Sequence, residues 1–353
     1  MRTQSRVVEC FSQPDSDPAS CLAMQLHLMN AVAEGRRSAA LFAYSFRDDH
    51  AALGRFHLAP DDRGTDLHRR VAGGRVLPIG PGYAGVALIL PRRDAMTDDT
   101  PGTLSAPQVM NRHVRGFLKG CRELGADPIY PGRDVVTIDK KIIASVGLET
   151  DRRGAAVFEM VVAVWRAFDE VPSLIDRADP DGVVTAEILV PDEVTDLERE
   201  LDQKLAFEDF ARLLRHGFGE QLAATMVAGR LDADEEKEVR RLADDPAVLS
   251  QWVYGRCRSE RLTHRGSLLG GAGQMDVYFE QINGVLGEVI ISGDFIANSD
   301  GVGQLEAALR GCPREAEAID RAITGACSRP QDFLLGIGPP SSVRDAILRG
   351  EPW

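Results

Sequence analysis

Between Leu67 and Leu90 the chain passes from a basic, glycine-punctuated loop into an unbroken apolar run. The order is Leu67-His68-Arg69-Arg70-Val71-Ala72-Gly73-Gly74-Arg75-Val76-Leu77-Pro78-Ile79-Gly80-Pro81-Gly82-Tyr83, then Ala84-Gly85-Val86-Ala87-Leu88-Ile89-Leu90. Glycines let backbone N–H groups come close to an anion and adopt positive φ. Arginine forks hold phosphate or carboxylate oxygens in pairs. A turn between strands with solvated arginines satisfies the same pattern, so the loop alone assigns nothing. Its weight comes from a second stretch, Pro131-Gly132-Arg133-Asp134-Val135-Val136-Thr137-Ile138-Asp139-Lys140-Lys141-Ile142-Ile143-Ala144-Ser145.

A chain of 353 residues accommodates one large domain and a small one, or two comparable ones. The net charge of −13 argues against a general nucleic-acid binder, which carries a basic stripe. A nucleotide needs only a local positive field and is not excluded. The cysteines at 10, 21, 121, 257, 312 and 327 show no CxxC spacing and read as reduced thiols rather than a disulfide framework or a zinc site. No apolar leader follows the polar start. The longest apolar run, Ala155 to Trp165, is interrupted by Glu159 and is too short for a bilayer. The expectation is a cytoplasmic protein with no membrane partner.

Taken in order, the pattern predicts a helix from Cys21 to about Glu34, capped by Ser20, and a strand over Leu41–Phe46. Ala52–His57 reads as a short strand, with His57 a packed or surface histidine. Residues 91–107 read as a loop rich in Asp, Thr and Pro, either a connector or an active-site cover. A helix over Asn111–Leu124 carries Cys121 on its apolar face as a small core residue. Asp134–Ile138 and Ile142–Val146 form a hairpin around Asp139-Lys140, and Ala155–Val164 extends the sheet. Helical patterning fills 193–249, with the acidic run Asp232–Glu238 at a helix start. A linker falls near Gln251-Trp252, where arginines and glycines begin to accumulate. Beyond it come strands at Met275–Gln281 and Gly287–Ser292 around an Asn283-Gly284 turn, then helices at Val302–Leu309 and Pro313–Thr324. The fold class is α+β, with domains over 1–250 and 255–353.

A lysine opposite a Gly/Arg loop is what an adenylating site requires. Joining a carboxylate to the α-phosphate of ATP builds negative charge in the transition state, and an ammonium with backbone N–H donors stabilises it. An acidic residue such as Asp134 can hold Mg²⁺ against the phosphates. By spacing alone, Lys140-Lys141 equally reads as a solvated hairpin tip.

These motifs resemble those of the lipoate–protein ligase family, within the biotin/lipoate ligase fold. Arg69-Arg70-Val71-Ala72-Gly73-Gly74-Arg75-Val76-Leu77 with Gly82 resembles its Arg-Arg-x-x-Gly-Gly-x-x-Val loop, which wraps the lipoyl group and adenylate. Gly132-Arg133-Asp134 resembles its Gly-Arg-Asn-Asp strand, and Lys141-Ile142-Ile143-Ala144-Ser145 its Lys-Ile-x-Gly-Ser hairpin. Leu53-Gly54-Arg55 fits the motif ahead of the loop. Gly287–Phe295 and Leu305–Gly311 look like the small accessory domain of full-length bacterial ligases. Three departures stand out: the asparagine before Asp134 is missing, the hairpin glycine is Ala144, and Ala155-Ala156-Val157-Phe158-Glu159-Met160 replaces a His-Gly-Thr-Leu-Leu strand.

The resemblance implies a large mixed-sheet catalytic domain followed by a small α+β accessory domain. It implies a ligase that uses ATP and Mg²⁺ to make lipoyl-AMP, then passes the lipoyl group to a lysine of an acceptor domain. Such acceptors are the E2 subunits of 2-oxoacid dehydrogenases, the glycine cleavage H protein and H-like proteins. By the same match Lys141 is the catalytic lysine. Arg69, Arg70, Gly73, Gly74, Arg75, Val76, Leu77, Gly82, Asp134 and Ala144 contact the substrates, and Asp134 also the metal. An octanoyl or lipoyl transferase of the same fold is the alternative and needs a cysteine nucleophile, for which Cys121 is nearest in sequence. A biotin ligase is third, since its Gly-Arg-Gly-Arg-type loop is not found, and a non-catalytic family member acting as a binder is the reading of a different class.

Overall fold

The computed structural model describes residues 6–60, 67–96, 104–151, 153–170, 189–270, 273–327 and 332–353. Part of the loop expected over 91–107 lies outside them. The centre is a mixed seven-stranded sheet. Its strands are β1 (Arg6–Ser16), β2 (Ala40–Phe46), β6 (Tyr83–Pro91), β7 (Val135–Ile138), β8 (Lys141–Thr150), β9 (Ala155–Ala163) and β10 (Ala224–Ala228), in the order β10-β1-β2-β6-β9-β8-β7. β1 runs parallel to β10 and β2, and every later pair is antiparallel. The apolar run after the loop becomes β6, buried from Tyr83 to Leu90 because both faces of the sheet are covered.

One face is covered by α3 (Ala106–Glu123) and α5 (Phe207–Leu222), whose Val114, Phe117, Phe210 and Phe218 meet Val86, Leu88, Val146 and Phe158. The other face takes α1 (Pro18–Ala33) and a three-stranded sheet, β4-β3-β5, made of β3 (His50–Leu53), β4 (Leu67–Arg69) and β5 (Leu77–Ile79). The basic loop of residues 70–76 therefore lies on the α1 face. Helix α1 starts three residues before the expected Cys21. Asp17 caps it by accepting the Ser20 N–H at 2.8 Å, with Pro18 in the first turn where a missing N–H is harmless. Similarly, α3 begins at Ala106, its start secured by Gln108 reaching back to the Ser105 N–H at 2.8 Å.

A second sheet, β13-β12-β11-β16, joins β11 (His264–Gly270), β12 (Gly273–Ile282), β13 (Val285–Gly293) and β16 (Glu351–Pro352). With α8 (Ser299–Leu309), α9 (Ala316–Ala326) and α10 (Ser341–Arg349) it surrounds a separate core of Val277, Phe279, Ile291, Leu305, Ile319 and Ile347. The Asn283-Gly284 turn closes β12 to β13 with φ of 51° and 80°, the left-handed pair that a tight hairpin needs. A short ribbon, β14 (Ile296–Ala297) with β15 (Leu334–Leu335), lies between the two sheets.

The segment read as a linker near Trp252 is tied down. Helix α7 (Pro246–Tyr254) runs through it. The Trp252 indole N–H donates to the Arg69 carbonyl at 2.9 Å, and the Ala59 N–H to the Arg256 carbonyl at 2.7 Å. Arginine density here reflects partners within the fold rather than solvent. No helix among the described residues is long and apolar enough to cross a membrane.

Candidate functional site

β3 pairs with both β4 and β5, so the loop between them is held at each end. Its first arginine acts as a knot. Arg69 is wholly buried; Nη1 donates to the carbonyls of Gly54, Arg55 and His57 at 3.2, 3.0 and 2.7 Å, and Nε and Nη2 donate to Val253 at 2.8 and 2.7 Å. Arg75 turns the other way and gives its Nε to Asp134 at 2.5 Å. Val76 and Leu77 are buried apolar side chains. Gly82 lies at the corner before β6, where its carbonyl accepts the Val164 N–H at 2.8 Å. Ala144 is sealed in the core on the α3 face.

The two glycines sit where only glycine fits. A Cβ on Gly73 would come 2.5 Å from the Phe295 carbonyl oxygen, and Gly74 has a φ of +112°. The Gly74 N–H donates to that same Phe295 oxygen at 2.9 Å. The second sheet's chain thus lies directly over the glycines. Gly54 belongs to the same contact, because a Cβ there would stand 2.0 Å from the Gly74 oxygen.

Lys141 opens β8 and is exposed, next to a turn whose Asp139 and Lys140 have φ of 47° and 71°. Gly147, not Lys141, lies against Gly73, and the two are separated by about 20 Å along the strand. The fold therefore brings Arg69, Arg70, Gly73, Gly74, Arg75 and Asp134 together, while Lys141, Gly82 and Ala144 stand apart from that group.

Beneath the loop lies a polar cluster that the motifs did not reveal. Arg70 is 2% exposed; its Nη2 donates to the Arg75 carbonyl at 2.6 Å, whereas Nε and Nη1 have no hydrogen-bond partner among the described residues. Glu159 of β9 stands 3.9 Å from Nη1 and accepts the Ala72 N–H at 2.9 Å. Tyr44 and Gln25 close the cluster, with the Gln25 amide donating to the Tyr44 hydroxyl at 2.6 Å. Burial pushes the Glu159 carboxyl up, opposed by Arg70, and pushes the Tyr44 hydroxyl up as well. The Ser145 hydroxyl is also buried and unpartnered among the described residues. The sequence signal for all this was Glu159 itself, an acid in the middle of an apolar strand.

Asp134 is the candidate metal ligand. Its two oxygens face Arg75 at 2.5 and 3.4 Å, and burial raises its carboxyl despite that arginine. Among the described residues no three His, Cys, Asp or Glu side chains converge as a metal site. With both of its oxygens facing Arg75, Asp134 does not fit as the holder of a magnesium ion. Beside Asp134 opens a cavity of about 450 Å³, lined by Met110, Tyr130, Arg133, Ile296, Leu334 and Leu335.

Glu149, at the far end of β8, joins the two sheets. Its carboxylate accepts the Ser299 N–H at 2.9 Å and the Ser299 hydroxyl at 2.7 Å, at the start of α8. Burial raises its carboxyl from about 4.5 to about 7. Between those values the folded chain binds a proton that the unfolded chain has released. The associated stability is complete below about pH 4.5 and is lost as pH rises through 7. Urea unfolding of the parent and of Glu149→Gln should therefore diverge by up to about 3 kcal/mol between pH 4.5 and 8, the parent losing more. Parallel curves would rule this coupling out.

Residues 17–219 match the family model described as the lipoyl protein ligase A/B catalytic domain. No curated protein matches the sequence. Among solved structures, the chain is similar to Plasmodium falciparum LipL1 in complex with lipoate: TM-score 0.67, 11% identity, 97% of this chain and 99% of that one covered. A lipoate-protein ligase A bound with ATP aligns with TM-score 0.53 and 16% identity over 72% of this chain and 99% of the other. The bipartite lipoate protein ligase of the Thermoplasma acidophilum lipoylation system, studied with its E2 lipoyl domain, gives 0.52 and 16% over 73% and 99%. At such identities these likenesses show a shared fold, the biotin/lipoate ligase architecture.

Proposed function

Because the chain belongs to the lipoyl protein ligase A/B catalytic-domain family, we propose that it is an ATP-dependent lipoate–protein ligase. Lipoate, or a related medium-chain acid, attacks the α-phosphorus of ATP through a carboxylate oxygen, and pyrophosphate leaves. The ε-amine of an acceptor lysine then attacks the acyl carbon, and the C–O bond breaks to release AMP. The acceptor is a lipoyl domain of a 2-oxoacid dehydrogenase E2, an H protein or an H-like protein, and the reaction is cytoplasmic. The lipoate, ATP and E2 lipoyl domain named with the similar structures support the acyl substrate, the nucleotide and the kind of acceptor. Residues 1–250 form the catalytic domain and 255–353 the accessory domain.

The observation that carries the proposal is Arg70, a buried guanidinium beneath a glycine loop, two of whose nitrogens have no hydrogen-bond partner among the described residues. Buried donors of this kind call for an anion, and they stabilise developing charge most where water is excluded. Arg75 orients the loop through Asp134, and Lys141, at the opening end of β8, is the family's lysine that must reach the substrates from outside this buried cluster. The thioester-transferase alternative needs an accessible thiolate. Cys121 is 1% exposed among Val114, Phe117 and Leu118, and burial pushes its thiol far up.

The test is the intact mass of a small lipoyl-acceptor domain after incubation with the protein, lipoate and MgATP. An ATP-dependent gain of one lipoyl group is expected. Gain from an acyl-carrier thioester without ATP would select the transferase, and no gain across several acceptors would overturn catalysis of either kind.

A further inference from the structure

The buried cluster under the loop already contains an anion. Glu159 stands where its carboxylate meets the Ala72 N–H at 2.9 Å and the Arg70 Nη1 at 3.9 Å. These are the two kinds of donor that the loop offers to a substrate acid. On its own sheet Glu159 lies between Ala87 of β6 and Gly147 of β8, neither of which carries charge. The groups that face it come from elsewhere: Arg70 from the loop, the Tyr44 hydroxyl from β2 and the Gln25 amide from α1. Cys21 also acts on Tyr44, and Asp134 and Asp294 also act on Arg70. One cation therefore serves one close carboxylate. A second carboxylate or phosphate entering here would place two negative charges on one guanidinium inside a dry core, an arrangement in which one acid must hold a proton.

We propose that Glu159 is the specificity-determining residue of this site: ionised, it fills the anion position made by Arg70 and the Ala72 N–H, and an acidic substrate is admitted only as Glu159 takes up a proton from solvent. The proposal rests on the ligase reading for the identity of the substrate, a medium-chain carboxylic acid. It adds that binding is linked to one proton and favours lower pH. Burial already disfavours the Glu159 anion, which eases the uptake of that proton. A strand with an uncharged residue at this position has no such gate.

Isothermal titration of lipoate and of octanoate into the full chain, from pH 5.5 to 8 in buffers of different ionisation enthalpy, tests the proposal. For the parent, uptake of close to one proton per acid bound is expected. Affinity should fall about tenfold per pH unit once Glu159 is ionised in the free protein. Glu159→Gln should bind more tightly at pH 8, with no uptake and a flat pH profile. Affinity of the parent that is flat with pH, with no proton taken up, overturns the proposal, and this measurement needs no variant. Lipoylation of an acceptor by a parent whose binding is flat would sink the gate alone. Proton-linked binding without any acyl product would sink the ligase reading alone. Binding of neither acid to either protein would overturn both.

Discussion

Lys141→Ala is expected to lower acyl transfer at least ~100-fold, the scale of losing one preorganised charge donor to a transition state. Its unfolding midpoint should match the parent's, because the side chain is exposed at the first position of β8. Lys140→Ala should do much less, since Lys140 occupies the turn with a φ of 71°. The assay is transfer to an acceptor domain followed by mass, with thermal unfolding alongside. Full activity in both variants would show that the lysine role is misassigned. Arg70→Ala adds a useful contrast, because Arg70 and Lys141 lie at separate places along the sheet. Loss in Arg70→Ala with a normal Lys141→Ala would locate the chemistry at the buried cluster rather than at the hairpin.

The second large effect is on stability. Arg69→Ala should destabilise the chain by about 4 kcal/mol, because it strips a buried guanidinium from the four carbonyls of Gly54, Arg55, His57 and Val253. Arg69→Lys should recover only part, since an ammonium cannot copy the planar fork. The arginine also joins β4 to the end of α7, so the loss extends to the seam between the two sheets. Denaturant unfolding decides the matter. Unchanged stability with lost nucleotide binding would reassign Arg69 from a structural knot to a ligand-binding group.

Several features were legible because their causes are local. The apolar run after Gly82 had to be a covered strand. Asn283-Gly284 sits in the left-handed turn that this dipeptide favours, and Asp139-Lys140 takes up left-handed φ at the hairpin turn that the flanking strands dictate. Cys121 on the apolar stripe of its helix is core, as periodicity requires. The ends of helices were less legible: Asp17 and Ser105 take over the starts of α1 and α3 because proline is tolerated in a first turn. Trp252 and the arginines after it looked like a linker because composition reports polarity, not the carbonyls and rings that the polarity meets.

The sequence by itself determined the α+β class, the order of the motifs and the kinship to lipoyl ligases, since each is carried by periodicity or by consecutive residues. Only the tertiary structure decided which arginine does what. Arg69, Arg70 and Arg75 look alike in a basic loop, yet one is saturated by carbonyls, one is paired with Asp134, and one is left with two buried nitrogens beside Glu159. The same holds for Phe295 over Gly74 and for Ser299 on Glu149, contacts between residues more than a hundred positions apart. Burial and pairing are properties of the space around a side chain, and that space is assembled from distant parts of the chain, so no local pattern encodes them.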